Sequence, residues 1–191
     1  MTIRFEHRLF AMGQVHQMQL TYVPTEDRLL FRMSTKNRQE FRFWMTRRYV
    51  KLLWISLTNV IAKADAVKGP EDADTSIRPK DPLVESTIAE MKHKEMVAKS
   101  DFATEYQESA YLPLGEQPGL LFSVVIKPHP AGPAMLCMHP EKGQGVEMVL
   151  SEEVAHSLCK LIAETTEKAG WALNLTFSGP GTSDDSPRGL S

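Results

Sequence analysis

LLFRMSTKNRQEFRFWMTRRYVKLLWISL, residues 29–57, holds two alternating apolar runs, a polar turn between them, and the start of an amphipathic helix. Successive strand side chains point to opposite faces, so Leu29, Phe31 and Met33 share one side of the first run. Lys36, Asn37 and Arg38 make the turn, and Phe41, Phe43 and Met45 share one side of the second run. Thr46 follows at once, and a hydroxyl there caps a helix by accepting from a free first-turn amide. Tyr49, Val50, Leu53, Leu57, Val60 and Ile61 then recur at spacings of three and four. Residues 134–162, AMLCMHPEKGQGVEMVLSEEVAHSLCKLI, repeat the plan, with Ser151 where the first copy has Thr46. The correspondence extends over residues 14–65 and 119–170 at an offset of 105, the difference between 119 and 14. With that offset removed, Val154, Ala155, Leu158, Leu161 and Ile162 fall at 49, 50, 53, 56 and 57, so both helices carry the same stripe. Identities are few (Met33 with Met138, Gln39 with Gln144), and the pattern is the signal. It predicts an α+β fold of two pseudo-symmetric units, each an antiparallel β-meander of three or four strands followed by a packed helix.

Outward from this core the reading continues in both directions. Val15 to Val23 forms the first strand of the meander, turning at Pro24 to Asp27, and Leu120 to Ile126 is its counterpart, turning at Pro128 to Pro133. Ile3 to Phe10 reads as an opening strand that Met12 and Gly13 turn into the next. Its counterpart, Tyr111 to Leu114, is weakened by Pro113. Asp81 and Pro82 start an extra helix with Val84, Ile88, Met91 and Glu95 on one narrow stripe through about Lys99, which lies on a surface or meets a partner helix. Trp171 to Phe177 alternates and reads as a last strand. The resulting organisation is a basic first unit at 1–68, a flexible linker at 69–82, a linker helix at 83–108, a second unit at 109–177 and a disordered tail at 178–191.

The chain of 191 residues is 42% hydrophobic and 24% charged, ordinary for a soluble globular protein with a real core. No window approaches the roughly 18 uninterrupted apolar residues of a membrane span. The charged, alternating start lacks the apolar stretch of a signal peptide, and two cysteines are too few for a disulfide framework. Both point to a reducing, cytoplasmic setting. Charge is divided: residues 1–68 carry twelve Lys and Arg against five Asp and Glu, and the rest carry ten against nineteen. Such a division implies an anionic partner for the first half, or halves that face each other.

Three constellations bear on chemistry. With Phe41, Phe43 and Met45 turned to the helix, Arg42 and Trp44 face outward, and Arg32 shares their side along with Gln17 and Gln19. An indole stacks on any base while guanidiniums hold phosphates, so this face suits single-stranded nucleic acid; a solvated face with a packed indole is the plainer alternative. Arg47 and Arg48 occupy the first turn of a helix, where the macrodipole disfavours cations, and Lys51 follows one turn later. An anion is expected against them, either a phosphate or acidic residues such as Glu152 and Glu153. Finally, Cys137, His139, His129, His156 and Cys159 are metal-donor types without paired ligand spacing, so packing roles are expected and no metal. No phosphate loop, nucleophile elbow or His-Glu-x-x-His is present, so no catalytic residue and no cofactor is expected.

Two consecutive strand-strand-strand-strand-helix units, over about residues 2–65 and 109–170, resemble the PUR-repeat and Whirly-like proteins that bind single-stranded DNA or RNA on sheet surfaces. The second unit departs from the first by placing Cys137, Glu147 and Val149 where Arg32, Arg42 and Trp44 stand. The resemblance therefore implies a binding face on the first unit only. Phe122, Val124 and Ile126 replace Gln17, Gln19 and Thr21, which predicts that the second unit's other face is covered by another sheet or subunit. The resulting expectation is a non-enzymatic, homodimeric protein binding single-stranded DNA or RNA through Arg32, Arg42, Trp44, Arg47, Arg48 and Lys51. The alternative is a protein–protein interaction module, an adaptor or inhibitor whose basic half meets an acidic partner.

Overall fold

The computed structural model describes residues 9–11, 13–67, 82–129 and 132–176. In chain order these contain β1 (Leu9–Ala11), β2 (Val15–Val23), β3 (Arg28–Thr35), β4 (Glu40–Met45), α1 (Arg47–Val67) and α2 (Pro82–Ala98), then β5 (Gly119–Lys127), β6 (Ala134–Pro140), β7 (Gly145–Leu150) and α3 (Glu152–Lys168). Among the described residues the fold is mixed α+β, with three helices and one seven-stranded sheet in the order β1-β7-β6-β5-β4-β3-β2. β2-β3-β4 and β5-β6-β7 are antiparallel meanders. They join where β4 runs parallel to β5, with Phe43 opposite Gly119 and Trp44 opposite Leu120.

One core serves both meanders. Leu29, Phe31, Met33, Phe41, Phe43 and Met45 meet Leu136, Met138, Val146, Met148 and Leu150 there, under Leu53 and Leu57 of α1 and Leu158 and Ile162 of α3. Burying each such side chain stabilises the fold by about 1.5–3 kcal/mol, far more than helix propensity contributes. Both helices start on the hydroxyls read from the sequence: Thr46 Oγ1 accepts from Tyr49 N–H at 3.2 Å, and Ser151 Oγ from Val154 N–H at 3.2 Å.

Four local readings differ. β1 does not turn back onto β2; it crosses to β7 and runs parallel to it, Leu9 opposite Gly145. Glycine is needed there, because a Cβ on residue 145 would lie 2.4 Å from the Met138 carbonyl oxygen. In β5 a bulge between Leu121 and Ser123 leaves Phe122 outside the pairing and turns Val124 and Ile126 toward the core. The β2 irregularity falls at Val15/Gln17, so Met18 and Leu20 match Val124 and Ile126 at a separation of 106, not 105. The expected cover over Phe122, Val124 and Ile126 is thus replaced by the core itself for the last two. The extra helix ends at Ala98, next to the Lys99 where its stripe runs out, and the segment drawn to 108 continues without helix, the Asp101 carboxylate taking the amides of Ala103 and Thr104 and turning the chain. Residues 171–176 form no strand, since Ala172 and Asn174 both sit at φ 49°. The opening strand before Leu9, the Met12 turn, the linker at 69–80, Asp81, Phe177 and the tail at 178–191 lie outside the described residues.

α2 lies on α3. Lys92 pairs with Glu152 at 3.0 Å, His93 Nδ1 lies 2.9 Å from His156 Nδ1, and Ser100 Oγ lies 2.9 Å from Ser157 Oγ. Ile88 and Met91 are exposed, so the stripe read from the sequence faces away from this contact. Burial, then the neighbouring His156 and Lys160, push the His93 pKa from its ordinary 6.5 down to about 4. The docked helix therefore resists a proton that a released or unfolded one accepts below pH 6.5. The docking is fully present above that pH, weakens as pH falls toward 4, and loses nothing further below it. Melting temperature is expected to decline across this window, and His93→Gln to flatten the decline; equal slopes in both proteins would refute the assignment.

Candidate functional site

The outward face of the first meander carries the side chains expected there, and the chain itself lies across them. After α2, residues 105–111 pass over β2, β3 and β4, forming only an isolated parallel bridge of Tyr111 with Gln39. The Arg32 guanidinium pairs with Glu108, bonds Gln19 and lies 4.9 Å from the centroid of the Tyr106 ring. The Gln17 amide donates to the Glu105 carbonyl at 3.2 Å and accepts from the Gln107 N–H at 3.1 Å. Glu40, only 1% exposed, accepts from Arg42 Nε and from the Ser109 N–H, both at 2.7 Å. Its carboxylate raises the Arg42 pKa. The Glu40 N–H in turn donates to the Tyr111 carbonyl at 2.9 Å. Trp44, opposite Leu30 and Leu120, is half-buried farther along the same face.

The basic start of α1 finds its anion within the chain, on the turn between β2 and β3. Asp27, at φ 46°, lies 3.3 Å from Arg47, accepts from Trp171 Nε1 at 3.1 Å and from the Tyr22 hydroxyl at 3.1 Å. The Trp171 bond first, then Arg47, hold this carboxyl below its ordinary value. The indole also lies under the Arg47 guanidinium, 5.2 Å from ring centroid to Cζ. Glu152 pairs with Lys92 and Glu153 reaches Ser100, so the acidic pair at the start of α3 serves α2 rather than Arg47.

Arg48 and Lys51 remain outward. The Arg48 guanidinium lies 5.8 Å from the centroid of Phe122, the residue that the β5 bulge sets free. Arg48, Leu52, Ile55 and Asn59 follow one another along one stripe of α1. Leu52 is 40% exposed, Ile55 57% and Phe122 59%. The result is a basic and apolar patch. Sequence reasoning found its cations, read Phe122 as covered by another sheet or subunit, and missed Leu52 and Ile55. Leu52 and Ile55 fall outside the buried stripe of the helix, and that was the available signal.

The metal-donor side chains are dispersed. His129 is exposed, while Cys137 donates to Glu147 at 3.2 Å, which also accepts from Lys127 at 2.6 Å. Burial and then Glu147 raise the Cys137 pKa, and burial pushes that of Cys159 up to about 12. Among the described residues no three His, Cys, Asp or Glu side chains converge as a metal site. No described helix is long and apolar enough to cross a membrane. Comparison with protein families, curated proteins and solved structures finds no match for this chain.

Proposed function

We propose that this protein is a non-enzymatic interaction module that docks an acidic, partly apolar protein surface on the start of α1. One observation carries the reading: Arg48 and Lys51 stand beside exposed Leu52, Ile55 and Phe122, while Arg32, Arg42 and Arg47 have carboxylate partners within the chain. Exposed apolar side chains grouped around cations suit a protein interface, with aliphatic anchors and a charged rim. Part of the same reading is that two pseudo-symmetric units, β2-β3-β4-α1 and β5-β6-β7-α3, diverged so that the first became the binding half. The caps at Thr46 and Ser151 and the shared order of elements support it.

Single-stranded nucleic acid is the second reading. It is favoured by the exposed Phe122 ring beside Arg48, a stacking surface next to a phosphate-holding group, and by the element order that resembles PUR-repeat and Whirly-like proteins.

The test is a photo-crosslinking amino acid at Ile55, used in native lysate with and without nuclease, with Glu167 as the control position. A discrete protein adduct at 55 is expected that survives nuclease and disappears in Arg48→Glu/Lys51→Glu. An adduct removed by nuclease transfers the site to the nucleic-acid reading. Equal labelling at 55 and 167 rejects the patch altogether. Once the partner is in hand, Ile55→Ala should weaken binding about tenfold, since covering an exposed aliphatic is worth about 1.5–3 kcal/mol, and leave the melting temperature unchanged.

A further inference from the structure

The stretch covering the first meander is held as a peptide ligand is held. Gln17 engages both a carbonyl and an amide of its backbone, at Glu105 and Gln107. Glu40 takes a third backbone group, the Ser109 N–H. Arg32 meets a ring and a carboxylate two residues apart, Tyr106 and Glu108. Main-chain bonds for affinity and side-chain selection at alternate positions for specificity are how extended peptides are recognised at sheet edges, and here face side chains supply the same two elements. The covering stretch itself is largely exposed, with Glu105, Gln107, Glu108, Ala110 and Tyr111 all open to solvent. It is thus fastened by polar contacts more than by apolar burial, and such contacts exchange readily for equivalent ones.

We infer that the outward face of β2-β3-β4 is a peptide-reading surface, occupied here by residues 104–111 of the same chain. Its partner in trans is an extended acidic peptide carrying an aromatic residue two positions before a carboxylate. A ring and a phosphate of a nucleic acid would satisfy Arg32 equally well. The paired donor and acceptor that Gln17 presents to a backbone, and the buried Glu40 carboxylate two strands away, favour a polypeptide. This surface is separate from the α1 patch, and either stands without the other.

The probe is a labelled peptide copying residues 103–111, titrated into the full chain. A tethered occupant competes at an effective concentration of about a millimolar, so a trans affinity of about 100 µM would be masked about tenfold. Tyr106→Ala/Glu108→Gln, which loosens the occupant, should therefore bind the peptide about tenfold tighter than the unaltered protein. Adding Arg32→Ala should abolish the gain. The inference fails if the loosened variant, folded by circular dichroism, binds no better than the unaltered protein. It fails equally if the variant binds a labelled single-stranded oligonucleotide and not the peptide. If that variant does not fold, the unaltered protein is titrated with peptide to millimolar concentration while the Gln17 side-chain amide resonances are followed. Displaced resonances support the inference, and unmoved ones overturn it.

Discussion

Phe43→Ala is expected to lower the unfolding free energy by about 4 kcal/mol, because a fully buried aromatic is removed where the surroundings collapse poorly. Phe43 is 1% exposed and sits at the joint between the meanders, cross-strand from Phe31 and opposite Gly119. A Cβ on residue 119 would lie 3.5 Å from the Phe43 ring, in ordinary contact, so the ring packs directly against the start of β5. β4 and β5 share only two paired positions there, and little backbone bonding remains to hold the seam once the ring is gone. For a chain of this size the loss corresponds to a fall of roughly 10–15 °C in melting temperature. A shift below a few degrees in a calorimetric scan would show that the seam is not a keystone of the core. Phe43→Leu, which retains most of the volume, should recover the larger part.

Glu40→Ala is the second large effect, expected at about 2–3 kcal/mol, since removing the buried carboxylate strips a part-buried guanidinium and the Ser109 amide of their acceptor. The Glu40 side chain is sealed from solvent, and it answers both Arg42 Nε and the Ser109 N–H. The loss should have two signatures. Melting temperature falls, and the amides around Ser109 exchange faster with solvent because the covering stretch has lost an anchor. Glu40→Gln keeps an acceptor and should restore part of the stability without the charge. If Glu40→Ala melts like the unaltered protein, the carboxylate contributes nothing that water does not replace.

Much of the architecture was legible because it rests on local chemistry. Alternation placed Phe31 and Phe43 inward and Arg32 and Arg42 outward, and the structure has them so. Thr46 and Ser151 marked helix starts through hydroxyls that serve the next turn. What escaped was non-local or broke the period. A single unpaired residue, Phe122, changes the phase of β5, and nothing in its composition announces a bulge. The covering of Arg32 by Glu108 joins residues 76 positions apart, in a stretch with neither strand nor helix periodicity. Arg47 was readable as a cation awaiting an anion, but Asp27 became that anion only through a hairpin turn and an indole from beyond α3. Charge counting saw the demand at these sites and could not see that most of it is met at home.

The pairing of β1 with β7 has a consequence for biogenesis. Leu9 leaves the ribosome well before its neighbour Gly145, which is added only after the seven intervening strands and helices, the β5-β6 hairpin included, have been made. Contacts so distant along the chain slow folding, since the intervening loop must be closed before they reward it. The nascent polypeptide therefore carries an unsatisfied strand until β7 is made, and β7 is the element whose arrival lets the sheet finish.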